Sequence, residues 1–110
     1  MNKYHNKKCF YKDMIFDSKK ERDYYIVLEM MLKNKQITDL KTQVKFELQP
    51  SFKFKGKTIR SINYIADFTY IDKKNKLHII DVKSEATKKD KVYRLKKKMM
   101  QYKGYDIEEI

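Results

Sequence analysis

Residues 62–83 read INYIADFTYIDKKNKLHIIDVK, and this stretch decides the fold. Between Ile59 and Ile71 the side chains alternate with a period of two. One face carries Ile62, Tyr64, Ala66, Phe68 and Tyr70, and the other carries Ile65, Asp67, Thr69 and Ile71. Leu77 to Lys83 is a second extended run. Asp72-Lys73-Lys74-Asn75 between them predicts a short loop in which Asn75 takes the left-handed position. The two strands should therefore form an antiparallel hairpin. Pairing them about a loop of Lys73 to Asn75 sets Asp72 opposite Lys76 and Asp67 opposite Asp81. Facing residues on a sheet have Cβ atoms about 4.5–5.5 Å apart, a distance at which like charges repel. Both acids also interrupt runs that read as buried, where a carboxylate is costly unless it is paired or metal-bound. A divalent cation relieves both costs, because two convergent carboxylates offer the hard oxygen ligands that Mg²⁺ prefers. Period-two geometry puts Lys83 on the same face as Asp81, within reach of whatever the metal binds. A register slipped by one residue would instead leave both acids as ordinary surface carboxylates.

Working outward, Val44, Phe46 and Leu48 alternate against Lys45 and Glu47, and Pro50 closes a strand ending near Gln49. Gln49 stands just before the hairpin and is a candidate for lining the same site. Phe52 and Phe54 before Lys55-Gly56-Lys57 read as a strand end and a turn. Further upstream, Ser18 followed three residues later by Glu21 matches a capping box, and Tyr25, Leu28 and Leu32 continue one face of a helix over about 18–34. Glu21 has two readings: the capping residue alone, or a third carboxylate turned towards the sheet. Downstream, Thr87 and Asp90 can cap a second helix with an apolar stripe of Val92, Leu95, Met99 and Tyr102. Gly104 is its stop, and Tyr105 to Ile110 is an edge strand. The element order is α-β-β-β-α-β. It predicts a mixed α/β (α+β) fold with a central mixed sheet flanked by helices. Residues 1–15 read as a basic N-terminal arm and 16–110 as a single domain.

The 110 residues carry 27 Lys and Arg against 15 Asp and Glu, a formal net charge of +12. Such a field favours a polyanionic partner. The second helix concentrates it in Lys88, Lys89, Lys91, Arg94, Lys96, Lys97 and Lys98, a density that can track a phosphate backbone or equally form a solvated face. Tyr93 and Tyr102 read as core or rim residues, and His78, on the strand face opposite Asp81, as structural. The lone Cys9 cannot form an intrachain disulfide, and with only His5 and His78 there is no Cys and His set for zinc. No apolar run reaches the roughly 20 residues of a membrane span, and the start lacks a secretory signal, so a cytoplasmic protein without membrane contact is expected.

Ala66-Asp67, then Asp81-Val82-Lys83 fourteen positions on, with Glu21 on the first helix, resemble the PD-(D/E)XK nuclease superfamily. That superfamily shares a restriction-endonuclease-like core in the element order read above. Phe16-Asp17-Ser18-Lys19-Lys20-Glu21, Phe46-Glu47-Leu48-Gln49-Pro50 and Tyr64-Ile65-Ala66-Asp67-Phe68 look more narrowly like small phage and prophage nucleases related to Holliday-junction resolvases. The resemblance covers nearly the whole chain from about residue 14. It implies that Asp67 and Asp81 ligate Mg²⁺, or Mn²⁺ in its place, with the Val82 carbonyl as a further ligand. Glu21 would complete the site, and Lys83 would orient the attacking water or stabilise charge at phosphorus. It also implies a homodimeric endonuclease acting on branched or duplex DNA in phage recombination or replication, inside a bacterial host. Ala66 replaces the family's Pro, and Asp81 stands where Glu is commoner; neither change removes a ligand. Two other classes remain beside it: a non-catalytic nucleic-acid-binding protein on the same fold, and a basic structural protein with an acidic partner.

Overall fold

A computed structural model describes residues 7–110; the first six positions of the N-terminal arm, His5 among them, lie outside the described residues. Cys9–Tyr11 (β1) and Met14–Phe16 (β2) pair as a small antiparallel hairpin. It sits on the first helix, Lys19–Lys33 (α1), through the Tyr11 and Phe16 rings against Tyr25. Ser18 caps α1 by accepting the Glu21 N–H at 3.1 Å. The helix ends where Lys35, at φ 60°, takes the left-handed position and Gln36 N–H returns to the Met31 carbonyl at 2.9 Å.

The central sheet has four strands. Ile37–Gln49 (β3) lies antiparallel to Ile62–Asp72 (β6), which lies antiparallel to Leu77–Asp81 (β7). Ile107–Glu109 (β8) runs parallel to β7 at the far edge. Phe52–Phe54 (β4) and Lys57–Ile59 (β5) form a separate hairpin inserted between β3 and β6, closed by Lys55 and Gly56 at φ 50° and 77°. The expected turn after Phe54 is thus the tip of this hairpin. The mixed α/β architecture is the one the sequence predicts. With the β4–β5 insertion and the terminal hairpin set aside, the order is helix, three strands, helical segment, strand.

The β6–β7 loop forms as read. Asp72 Oδ1 accepts the Lys74 and Lys76 amides at 2.8 and 2.9 Å, and Asn75 sits at φ 66°. The connection after β7 differs from its reading. Thr87 does not open the long helix; Ser84 caps a single turn, Glu85–Lys88 (α2), and Asp90 caps Lys91–Tyr102 (α3) through the Tyr93 amide at 2.9 Å. Gly104, at φ 92°, closes α3, with Tyr105 N–H bonded to the Met100 carbonyl at 3.0 Å.

Two apolar clusters lie on opposite faces of the sheet, because neighbouring Ile79 and Ile80 belong to different ones. Under α1 lie Phe16, Leu28, Ile37, Phe68, Tyr70 and Ile80, joined by Tyr24, Tyr25 and Met31. Leu32, expected on this face, is exposed. Under α3 lie Leu48, Tyr64, Ala66, Ile79, Tyr93, Met100 and Ile107. The buried stripe of α3 is therefore not the one its apolar spacing suggests. Val92 and Leu95 are each 59% exposed and Tyr102 is 94% exposed. Polar anchoring explains the rotation. Glu109 accepts the Tyr93 hydroxyl at 2.6 Å and pairs with Lys97 Nζ at 3.1 Å, which turns the Tyr93, Lys97 and Met100 side down onto the sheet. Tyr93 is thus a core residue as read, and Tyr102 is not. Among the described residues no helix is long and apolar enough to cross a membrane.

Candidate functional site

The β6–β7 ladder runs from Ile71 opposite Leu77 to Phe68 opposite Ile80. One step further, the same register brings Asp67 to Asp81, as the loop geometry predicts. There the ladder opens. Neither Asp67 nor Gln43, the residue facing it on β3, is a paired position, and Gln43 has φ 52°. Across this break β6 changes sides: Phe68 and Tyr70 pack with Ile80, while Tyr64 and Ala66, of the same parity, pack with Ile79. The Asp67 carboxylate takes the place of a ladder partner by accepting the Val82 N–H at 2.8 Å.

Asp81 is fully buried. Its Oδ2 accepts a short hydrogen bond from the Tyr64 hydroxyl, which the change of sides has brought round to it. Its Oδ1 lies 3.3 Å from Lys83 Nζ, an ion-pair distance without the direction of a hydrogen bond, so this buried oxygen is left unbonded. Lys83 Nζ also sits 4.9 Å over the Tyr93 ring, and the Lys83 carbonyl accepts Lys20 Nζ at 3.3 Å. Ile110 holds the edge of this strand: Lys83 N–H bonds to the Ile110 carbonyl at 3.2 Å, and Ile110 N–H to the Asp81 carbonyl at 2.9 Å.

Glu21 combines its two readings. Its backbone N–H serves the Ser18 cap, while the residue is buried at 5% exposure in the cleft it shares with Asp17 and Asp67. Burial raises the pKa of all three acids. Asp67 is pushed up to about 6, with the Glu21 charge adding to burial and the Val82 N–H and Lys83 opposing it. Asp81 is pushed up to about 7 by burial and by Asp67, against the Tyr64 hydroxyl and Lys83. Burial, and then the bond to Asp81, pushes the Tyr64 hydroxyl far above its usual range.

Asp67 and Glu21, with Asp17, Ser18, Lys20, Val82, Lys83, Ser84 and Thr87, line an open cleft of about 280 Å³; the buried Asp81 is not among its lining residues. The donor set suits a hard divalent cation: carboxylates from Asp67, Asp81 and Glu21, an unbonded buried oxygen on Asp81, and Val82 at the wall. As the side chains stand, no three of the described His, Cys, Asp and Glu residues are gathered closely enough to cage an ion.

Gln49 pairs with Ile62 in the ladder and does not line this cleft. Of the basic residues expected to meet a phosphate backbone, Lys88 pairs with Glu85 at 3.5 Å and Lys97 with Glu109. Lys89, Lys91, Arg94 and Lys98 are exposed. His78 is structural in its contacts, stacked on Tyr70 and held between Asp72 at 2.7 Å and Glu108 at 2.6 Å. Sequence reasoning missed Lys20, Tyr64 and Tyr93 as neighbours of the site. Tyr64 was hidden because strict alternation assigns it to the face away from Asp67 and Asp81; Lys20 carries no signal beyond its place beside Glu21.

Residues 1–109 match the family described as "Protein of unknown function (DUF1064)". This chain belongs to the DUF1064 family. No curated protein and no solved structure matches it. In this DUF1064 protein the match covers the helix bearing Glu21, both strands of the acidic pair and the basic α3.

Proposed function

We propose that this DUF1064 protein is a Mg²⁺-dependent DNA endonuclease of the PD-(D/E)XK superfamily. It would act on branched DNA such as Holliday junctions during phage recombination or replication inside a bacterial cell. The observation that carries this reading is the open cleft that Glu21, Asp67 and Lys83 line, next to the fully buried Asp81 whose Oδ1 is unbonded, on a protein of net charge +12. Asp67 and Asp81 would hold the ion, with Glu21 and the Val82 carbonyl completing its set; Mn²⁺ would substitute. Bound there, the metal would supply an activated water and neutralise charge on the phosphate. Lys83, freed from Asp81, would place its ammonium beside the attacked phosphorus and stabilise the charge that develops there. Lys20 lies close enough to the Lys83 carbonyl to add positive charge at the same wall. Lys88, Lys89, Lys91, Arg94, Lys97 and Lys98 would bring the DNA backbone to the cleft. A homodimer belongs to this reading. Exposed Val92 and Leu95 border a shallow groove with Ile62 and Ile65, an apolar surface that a second copy can bury.

The test is cleavage of a four-way junction, a single strand and a linear duplex with Mg²⁺ or Mn²⁺, by the wild type, Asp81→Ala and Lys83→Ala. Metal-dependent cutting that is lost in both variants supports the nuclease. A second reading, a non-catalytic DNA-binding protein, is favoured by the Lys83–Asp81 tie and by the absence of a preassembled ligand trio among the described residues. Binding of DNA with no cutting under any of these conditions selects it.

A further inference from the structure

The β4–β5 hairpin is separate from the central sheet and has no place in the site described above. Every residue of both strands is exposed, so no other element covers either face. Phe52, Phe54 and Ile59 nevertheless lie on it, and Phe52 pairs with Ile59 across the strands. Lys53, Lys55, Lys57 and Arg60 surround them, and no acidic residue occurs between Glu47 and Asp67. Lys55 Nζ stands 5.5 Å over the Phe54 ring. An isolated two-stranded hairpin gains little stability by itself in water, and Phe52 and Phe54, 44% and 57% exposed, leave much of their apolar surface in water.

The partner must offer flat apolar faces and negative charge together. Unpaired nucleotides do so: bases stack on aromatic rings, and phosphates take up the lysines. Spacing narrows this to opened strands. Phe52 and Phe54 share one face two residues apart, about 6.8 Å along the strand. Bases in a duplex rise only about 3.4 Å each along a strand. The rings can therefore receive one base each, or one base between them, only where stacking has been broken. The base of the hairpin at Ile62 lies five residues along β6 from Asp67, about 17 Å.

We propose that the β4–β5 hairpin is a wedge that binds unpaired nucleotides, with Phe52 and Phe54 stacking on bases and Lys53, Lys55 and Lys57 holding the flanking phosphates. This rests on the nucleic-acid reading above and assigns its substrate class: DNA with an opened region, not plain duplex. The experiment measures binding in EDTA, which removes catalysis from the outcome. The probes are a forked DNA carrying 2-aminopurine in its unpaired arm and a blunt duplex of the same length, against the wild type and a Phe52→Ala/Phe54→Ala double variant.

The wild type is expected to perturb 2-aminopurine fluorescence and to prefer the fork. The double variant should lose about tenfold or more in fork affinity, with a much smaller change on duplex. Lys53→Gln/Lys57→Gln should lower the salt dependence of fork binding while leaving the fluorescence change in place. Equal fork binding by wild type and double variant, both folded by circular dichroism, overturns the wedge and leaves the nuclease reading standing. Failure of the wild type to bind any of the DNAs overturns both. Binding to phosphatidylserine vesicles that the double variant loses, without a fork preference in the wild type, would assign the hairpin to an anionic membrane surface and overturn the proposal.

Discussion

Asp67 and Asp81 are charged in water and reluctant to be charged where they stand. Their pKa values are raised to about 6 and about 7, chiefly by burial. Because the folded state holds these protons more tightly than the unfolded chain, whose Asp titrates near 3.9, the associated stability is present in full below about pH 4. It is lost as pH rises through about 6 and 7. The metal-free protein should therefore melt at progressively lower temperature between pH 5 and pH 8 in EDTA, as scanning calorimetry would record. Asp67→Asn keeps an oxygen for the Val82 N–H and removes the buried charge. It should stabilise the metal-free protein at pH 8 by about 1–2 kcal/mol and flatten this pH dependence. A destabilised Asp67→Asn would show that the carboxylate is satisfied by the protein alone. Mg²⁺ at a hundred times its dissociation constant should raise wild-type stability at pH 8 by about 2.7 kcal/mol and leave Asp81→Ala unmoved. The acidic pair and Lys83 were legible from one loop length and a period of two. Tyr64 was not, because alternation places it on the wrong face and only the break at Asp67 brings it back.

At the scale of elements, α1 ends on a lysine at a position that glycine occupies without strain. Lys35→Gly should stabilise the fold by about 0.5–1 kcal/mol, measured by urea denaturation, since φ 60° costs a side chain and the Gln36 return bond is retained. A clip joins β8 to the β6–β7 hairpin. His78 accepts opposing influences: burial lowers its pKa, but Asp72 and Glu108 together raise it above the usual value. Its bond to His78 and the Lys76 and Lys74 amides hold Asp72 below the ordinary carboxylate range. The clip's contribution is full between these two titrations. It is lost as pH rises through the raised His78 value and as pH falls through the lowered Asp72 value. His78→Gln should remove the alkaline part of that profile while leaving the fold intact. Helix α3 teaches the limit of periodic reading. Its sequence offers two stripes, and the choice between them is made by Glu109 on another strand.

For the whole molecule, charge sets the expected behaviour. Lys91, Arg94 and Lys98 are exposed along α3, and each neutralised phosphate contributes about 0.9 to the slope of log K against log salt on duplex DNA. Replacing all three by Gln should reduce that slope by up to about 2.7 and weaken binding similarly for every sequence. No change would mean that DNA approaches by another face. Sedimentation of the wild type against Val92→Lys/Leu95→Lys tests the dimer: a dimer that the pair of charges splits supports the groove beside Ile62 and Ile65 as its interface. A wild type that stays monomeric throughout removes the dimer from the proposed function.

What the sequence determined by itself was local or nearly so. Strand period, helix caps, loop length and the left-handed Asn75 follow from steric and hydrogen-bonding rules acting over a few residues. Together they yield the mixed α/β order and the meeting of Asp67 with Asp81. Tertiary structure decided what depends on partners distant in the chain. It broke the β6 ladder at Asp67, brought Tyr64 to Asp81, turned Tyr93 and not Val92 inward, buried Glu21 in the cleft that Asp67 lines, and left the Phe52 and Phe54 hairpin uncovered. Each of these is settled by which buried polar group finds a partner and which face finds a neighbour. Those are energies of several kcal/mol that a local pattern does not contain.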